Sequence, residues 1–200
     1  MSLTTIDFTP WFSNEKKLDE IGIGLTSDDL RNATNESIDY LLSLLDNLTD
    51  ADIAFEPHDP NANDEHAVEG EEHIGWNMGH LIAHTTASSD EGAAISSLLA
   101  RGVEEIKRPR YETPWRDMNT VESCVQRLEE SRRMRLAYLD TWPDSPHFEN
   151  YRSGVSERFV EYFGNLNCIG AFLMGLSHEV GHYDQIIDAR KQALAAREQA

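Results

Sequence analysis

Apolar residues recur at every third or fourth position along four long stretches of this chain, and that period belongs to helices. The first stretch opens on Thr26-Ser27-Asp28-Asp29, a hydroxyl cap followed by carboxylates at the positive end of a helix. Leu30, Ile38, Leu41, Leu45 and Leu48 follow at helical spacing. The second runs from Ile74 to about Arg101, with Met78, Leu81, Ile82, Thr85, Ile95 and Leu99 on one broad face and Gly102 as its stop. The third is capped by Asn119 or Thr120 and carries Val121, Val125, Leu128, Leu136 and Leu139. Glu129, Glu130, Arg132 and Arg133 mark its exposed face, and Pro143 and Pro146 end it. The fourth spans roughly Gly164 to Arg197, where Leu166, Ile169, Leu173, Leu176, Val180, Tyr183 and Ile187 form a heptad-like seam.

No alternating pattern of the kind a sheet needs stands out, apart from a short ambiguous stretch over 151–163. Two hundred residues fit one domain and bury a core without staples. The expected fold is therefore all-α, a four-helix bundle with long interhelical connections. Its core covers about 28–190 of a single domain 1–200, with 1–26 as an N-terminal extension. Residues 56–73 read as an acidic loop, long enough to suspect a function. Residues 103–118 form a second connection, broken by Pro109 and Pro114. Connection lengths do not fix which neighbours run parallel.

Charge narrows the partners. Seventeen Lys and Arg stand against 36 Asp and Glu, for a net charge of −19. Such a chain repels nucleic acid, which needs a basic stripe, and repels anionic membrane surfaces. No apolar run approaches the roughly 18 residues of a membrane span. The first residues lack the basic start and apolar stretch of a signal peptide. Cys124 and Cys168 are too few for a disulfide framework. A cytoplasmic protein is expected.

Two histidine pairs carry the functional signal: His80-Leu-Ile-Ala-His84 and His178-Glu-Val-Gly-His182. Residues four apart on a helix share a face, with Cβ atoms roughly 5–6 Å apart, so two imidazoles can reach one ion. Bundles build metal sites from side chains on facing helices. A closed site of four histidines is one option. An open site of three histidines plus water is the other, and it is the arrangement that does chemistry.

His178 and His182 lie nearly opposite the leucine seam of their helix. Their own side holds Ala171, Gly175, Gln185 and Ala189, so the helix should be buried on two sides. Gly175 and Gly181 support that, since each costs about 1 kcal/mol of helix propensity. A partner covering the second side would make the protein a homodimer.

His58, His66, His73 and His147 sit in loops beside acidic residues and should be exposed. Cys168 precedes His178 by ten residues, about 15 Å of helix, and cannot share its metal. Cys124 belongs to the core. Gln185, or less favourably Asp184, is placed to orient an imidazole. His178-Glu179-Val180-Gly181-His182 also matches the His-Glu-x-x-His zinc protease motif letter for letter. That motif needs a further ligand and a sheet-bearing domain, and nothing here supplies the sheet.

Trp76-Asn77-Met78-Gly79-His80-Leu81 resembles the segment that opens the second helix of the DinB-like (YfiT-like) bundle proteins. His178-Glu-Val-Gly-His182-Tyr-Asp-Gln185 resembles their C-terminal His-x-x-x-His-x-x-Gln segment, and Leu48 to Pro57 resembles the stretch after their first helix. The resemblance covers about 28–190. It implies a four-helix bundle with a divalent metal, zinc, nickel or iron, held by His80, His178 and His182. His84 is then a neighbour of the metal rather than a ligand. Relatives include metal-dependent transferases that use low-molecular-weight thiols, and mycothiol-dependent isomerases. The function the resemblance implies is thiol transfer on a small molecule. A non-catalytic metal-binding or stress-associated bundle is the alternative, with a metal-dependent hydrolase behind it. Arg152 or Arg158 could serve an anionic thiol.

Overall fold

The computed structural model describes residues 3–63, 68–111 and 113–199. They form helices and loops, with no strand among the described residues. The four longest helical stretches are α3 (Ser27–Ser43), α5 (Met78–Ala100), α6 (Val121–Asp140) and the near-continuous pair α8 (Cys168–Gly181) and α9 (Tyr183–Glu198). Short helices fill the links: α1 (Thr9–Phe12), α2 (Leu18–Ile21), α4 (Asp50–Ile53) and α7 (Glu157–Phe163). A 3-10 turn covers Trp115–Asp117.

Local chemistry sets the helix ends. Thr26 accepts from the Asp29 N–H while Asp29 accepts from the Thr26 N–H, a reciprocal cap. Asn77 accepts from the His80 N–H at 2.9 Å, which starts α5 at Met78, four residues later than Ile74. Thr120 caps α6 through Ser123. The Asn167 side chain takes the Ile169 and Gly170 N–H groups, so the last long helix begins at Cys168, not Gly164. The ambiguous 151–163 stretch resolves into α7 over its second half. The first 26 residues are more than an extension: Leu3, Ile6, Phe8, Trp11 and Leu18 are buried in the same core as Leu30 and Leu173.

The long helices pack around one another. α5 lies against α6 and α8, and α3 lies against α6 and α8. α5 and α8 run antiparallel: Gly175 faces Ser88 and Ser89, while Gly92 faces Ala171 and Gly175. A Cβ on Gly175 would sit 2.6 Å from the Ser88 carbonyl oxygen, closer than atoms can approach. The glycine is therefore what lets the two backbones close up. Ser89 Oγ donates to the Gly175 carbonyl at 3.1 Å, and Ser96 Oγ to the Cys168 carbonyl at 2.6 Å. The second buried side of the last helix is thus covered by α5 of the same chain, and it does not by itself need another copy.

A buried ionic network ties four helices together. Arg135 on α6 donates to both carboxylate oxygens of Glu179 on α8, at 3.0 and 2.5 Å, and both residues are 0% exposed. Glu179 also accepts from Ser37 of α3 and Ser89 of α5. Asp90 of α5 accepts from Arg127 and from Ser131, the latter at 2.6 Å. Each buried charge has a charged partner and further hydrogen bonds, the condition under which burial is tolerated. Among the described residues, no single helix is long and apolar enough to cross a membrane.

Candidate metal centre

Three imidazoles meet where α5, α8 and α9 come together. His84 projects from the second turn of α5, His178 from the last turn of α8, and His182 from the break between α8 and α9. One ligand-capable atom from each lies within 4.8 Å of the others. His84 Nε2 is 3.1 Å from His178 Nε2. Two nitrogens each about 2.0–2.1 Å from one tetrahedral ion would be roughly 3.3 Å apart, so this pair is already at ligand spacing. All three side chains are half-buried.

His80 stands elsewhere. Its ring is sandwiched between two indoles, 4.3 Å from Trp76 and 4.4 Å from Trp115, the latter parallel to within 1°. The histidines that converge among the described residues are His84, His178 and His182, and His80, implied as a ligand by the resemblance, is not in that group. The reason is the direction of helical side chains, which lean toward their own N-terminus. Because α5 and α8 are antiparallel, His84 leans back to the level of His178 and His182. His80, one turn earlier, leans past them toward the start of α5. This direction follows from the sequence once the helices are taken as antiparallel, which connection lengths alone do not decide.

The surroundings suit neutral imidazoles. Burial, then the nearby His182, His84 and Arg108, hold His178 down at about 3. Burial also lowers His182, with its hydrogen bond to Gln185 partly opposing. A metal needs unprotonated rings, and three rings this close resist carrying positive charge together. His182 Nδ1 lies 2.8 Å from Gln185 Oε1. With the proton on Nδ1, Nε2 presents its lone pair to the site, the usual way a neighbour fixes a ligand's tautomer. His178 Nδ1 is buried and has no hydrogen-bond partner among the described residues. The residues fit a divalent ion.

Trp76 roofs the cluster. Its ring is 4.7 Å from His84, edge-on, and 6.1 Å from His182. In the sequence Trp76 stands out only as part of a motif. Trp115 carries no signal there, because it lies in a turn whose position depends on tertiary packing.

Other expectations sort cleanly. His58, His73 and His147 are exposed, while His66 lies outside the described residues, as does the middle of the acidic loop. Cys124 and Cys168 are free and buried, and burial pushes their thiols up to about 12 and about 11. Neither serves as a nucleophile near neutral pH. Glu179 is wholly engaged by Arg135, Ser37 and Ser89 and is sealed from solvent. It cannot activate water as the glutamate of a zinc protease does.

A DinB superfamily profile matches residues 29–186, well over half of the chain. The chain belongs to the DinB superfamily. No curated protein and no solved structure matches it.

Proposed function

We propose that this DinB superfamily member is a four-helix bundle enzyme that holds one divalent metal through His84, His178 and His182 and transfers a small thiol. The observation that carries the reading is the convergence of three half-buried histidines from separate turns, without a fourth protein ligand in the cluster among the described residues. Three neutral imidazoles suit zinc, nickel or iron. A bound divalent ion supplies Lewis acidity, which favours the thiolate over the thiol or polarises a substrate oxygen.

The chain's own residues prepare that chemistry. Gln185 keeps the His182 proton on Nδ1. Trp76 covers one side of the rings and excludes water there. With both cysteines buried and held as thiols, the nucleophile must arrive with a small molecule. Glu179, locked in its ion pair, argues against hydrolysis through a glutamate base.

Cobalt-loaded protein tests this. Small thiols should produce a thiolate-to-cobalt absorption band and be consumed when an electrophile is added. A cobalt spectrum indifferent to millimolar thiol would favour the non-catalytic binding bundle.

A further inference from the structure

One face of the helix pair continues beyond the histidines. On α5, Ser88 and Glu91 follow His84 by one and two turns. On antiparallel α8, Met174 and Ala171 precede His178 by the same steps and so lie toward the same end. Ser88 and Met174 are half-buried, like the histidines, so this strip borders solvent. Glu91 lies seven residues from His84, about 10 Å along the axis.

The strip ends in cations. Glu91 is buried and accepts from Arg108 Nε at 2.6 Å and from the Tyr111 N–H at 3.3 Å. Those contacts hold Arg108 and Tyr111 against α5 and neutralise Arg108. Arg152 stands close enough to feel both Arg108 and Glu91. Its backbone N–H is tied to the Leu166 carbonyl at 2.8 Å, and its guanidinium lies 5.4 Å from the centre of the Phe159 ring. It is half-buried and has no carboxylate or carbonyl partner for its side chain among the described residues. Exposed Arg101, Arg133 and Arg158 also lack a carboxylate, but a half-buried arginine without one is unusual in a chain with 36 acidic residues against 17 basic ones. Arg31, Arg116, Arg127, Arg132, Arg135 and Arg197 all have carboxylates. Burial, and then repulsion from Arg108, disfavour the charged form of Arg152. Arginine does not give up its proton at ordinary pH, so the site keeps a positive charge that Glu91, already bound by Arg108, offsets only in part.

We infer that Arg152 receives a carboxylate of the small molecule that binds at the histidine cluster, at the end of the strip remote from the metal-facing nitrogens. One net positive charge, with Arg108 already paired to Glu91, fits a monoanion better than a phosphate dianion. A carboxylate also matches the planar fork of a guanidinium. Arg152 thus selects an extended molecule with a metal-directed group at one end and a carboxylate at the other. This rests on the metal reading above.

The test uses cobalt-loaded full-length protein and a series of mercaptoalkanoic acids of increasing chain length, each beside its methyl ester. Binding is read from the cobalt spectrum. The acids should bind at least about tenfold tighter than the esters at the best length, as a charge-assisted contact provides. Arg152→Gln should erase that preference while keeping metal content and the band. Arg158→Gln, at an exposed position on α7, should keep the preference. Alkanoates without a thiol are followed in parallel by thermal shift, so that failure of the thiol reading is distinguishable. They should stabilise the wild type and not Arg152→Gln. Equal binding of acids and esters by the wild type, or an acid preference that survives Arg152→Gln, overturns the inference. So do alkanoates that stabilise both proteins equally or neither.

Discussion

The histidines set the protein's response to pH. An unfolded His178 takes up a proton near 6.5, whereas the folded one resists until about 3. Between those values the unfolded chain binds more protons than the folded one. The stability that His178 contributes to the metal-free protein is therefore fully present above about pH 6.5 and is lost as pH falls toward 3. The loss is of the order of a few kcal/mol, since a tenfold change in proton affinity corresponds to about 1.4 kcal/mol. Thermal melts of metal-free wild type and His178→Gln across pH 7 to 4 check this: the wild-type curve should fall more steeply. Metal release on acidification should follow the same protonation. Gln185 gives a second expectation. Gln185→Leu removes the acceptor that fixes the His182 ring, and should weaken metal binding about 10- to 100-fold with little change in melting of the metal-free protein. Chelator competition measures it.

At the scale of elements, the α5–α8 contact decides where the candidate ligands sit. Gly175→Val would drive side-chain atoms into the Ser88 carbonyl. It should cost about 1–3 kcal/mol in denaturant unfolding and loosen the metal by moving His84 away from His178. The four long helices were legible in the sequence because their stripes are long and their caps local: Thr26, Asn77 and Thr120 act within three residues of themselves. What the sequence hid depends on distant partners. α7 forms where periodicity is too short to distinguish helix from strand. α1 and α2 join the core because Trp11 stacks near Phe163, some 150 residues away along the chain. His84 and His80 look equivalent in the sequence, being one turn apart on one face. Only the antiparallel pairing, and the indoles waiting on either side of His80, separate them.

For the whole molecule, the Arg135–Glu179 pair binds α6 to α8 at the centre of the bundle, with Glu179 next in sequence to the candidate ligand His178. Glu179→Ala leaves Arg135 buried without its main counter-charge and should cost about 3–5 kcal/mol. Protein of this variant that remains folded at low temperature should still bind one metal per chain, because Glu179 faces the core and not the histidines. The Asp90, Arg127 and Ser131 contacts extend the same network beneath the candidate metal site.

Metal content of purified single-alanine variants tests the account most directly. Mass-spectrometric metal analysis of His84→Ala, His178→Ala and His182→Ala should each show strong loss relative to wild type, whereas His80→Ala should retain the metal. Retention in His84→Ala together with loss in His80→Ala would contradict the assignment.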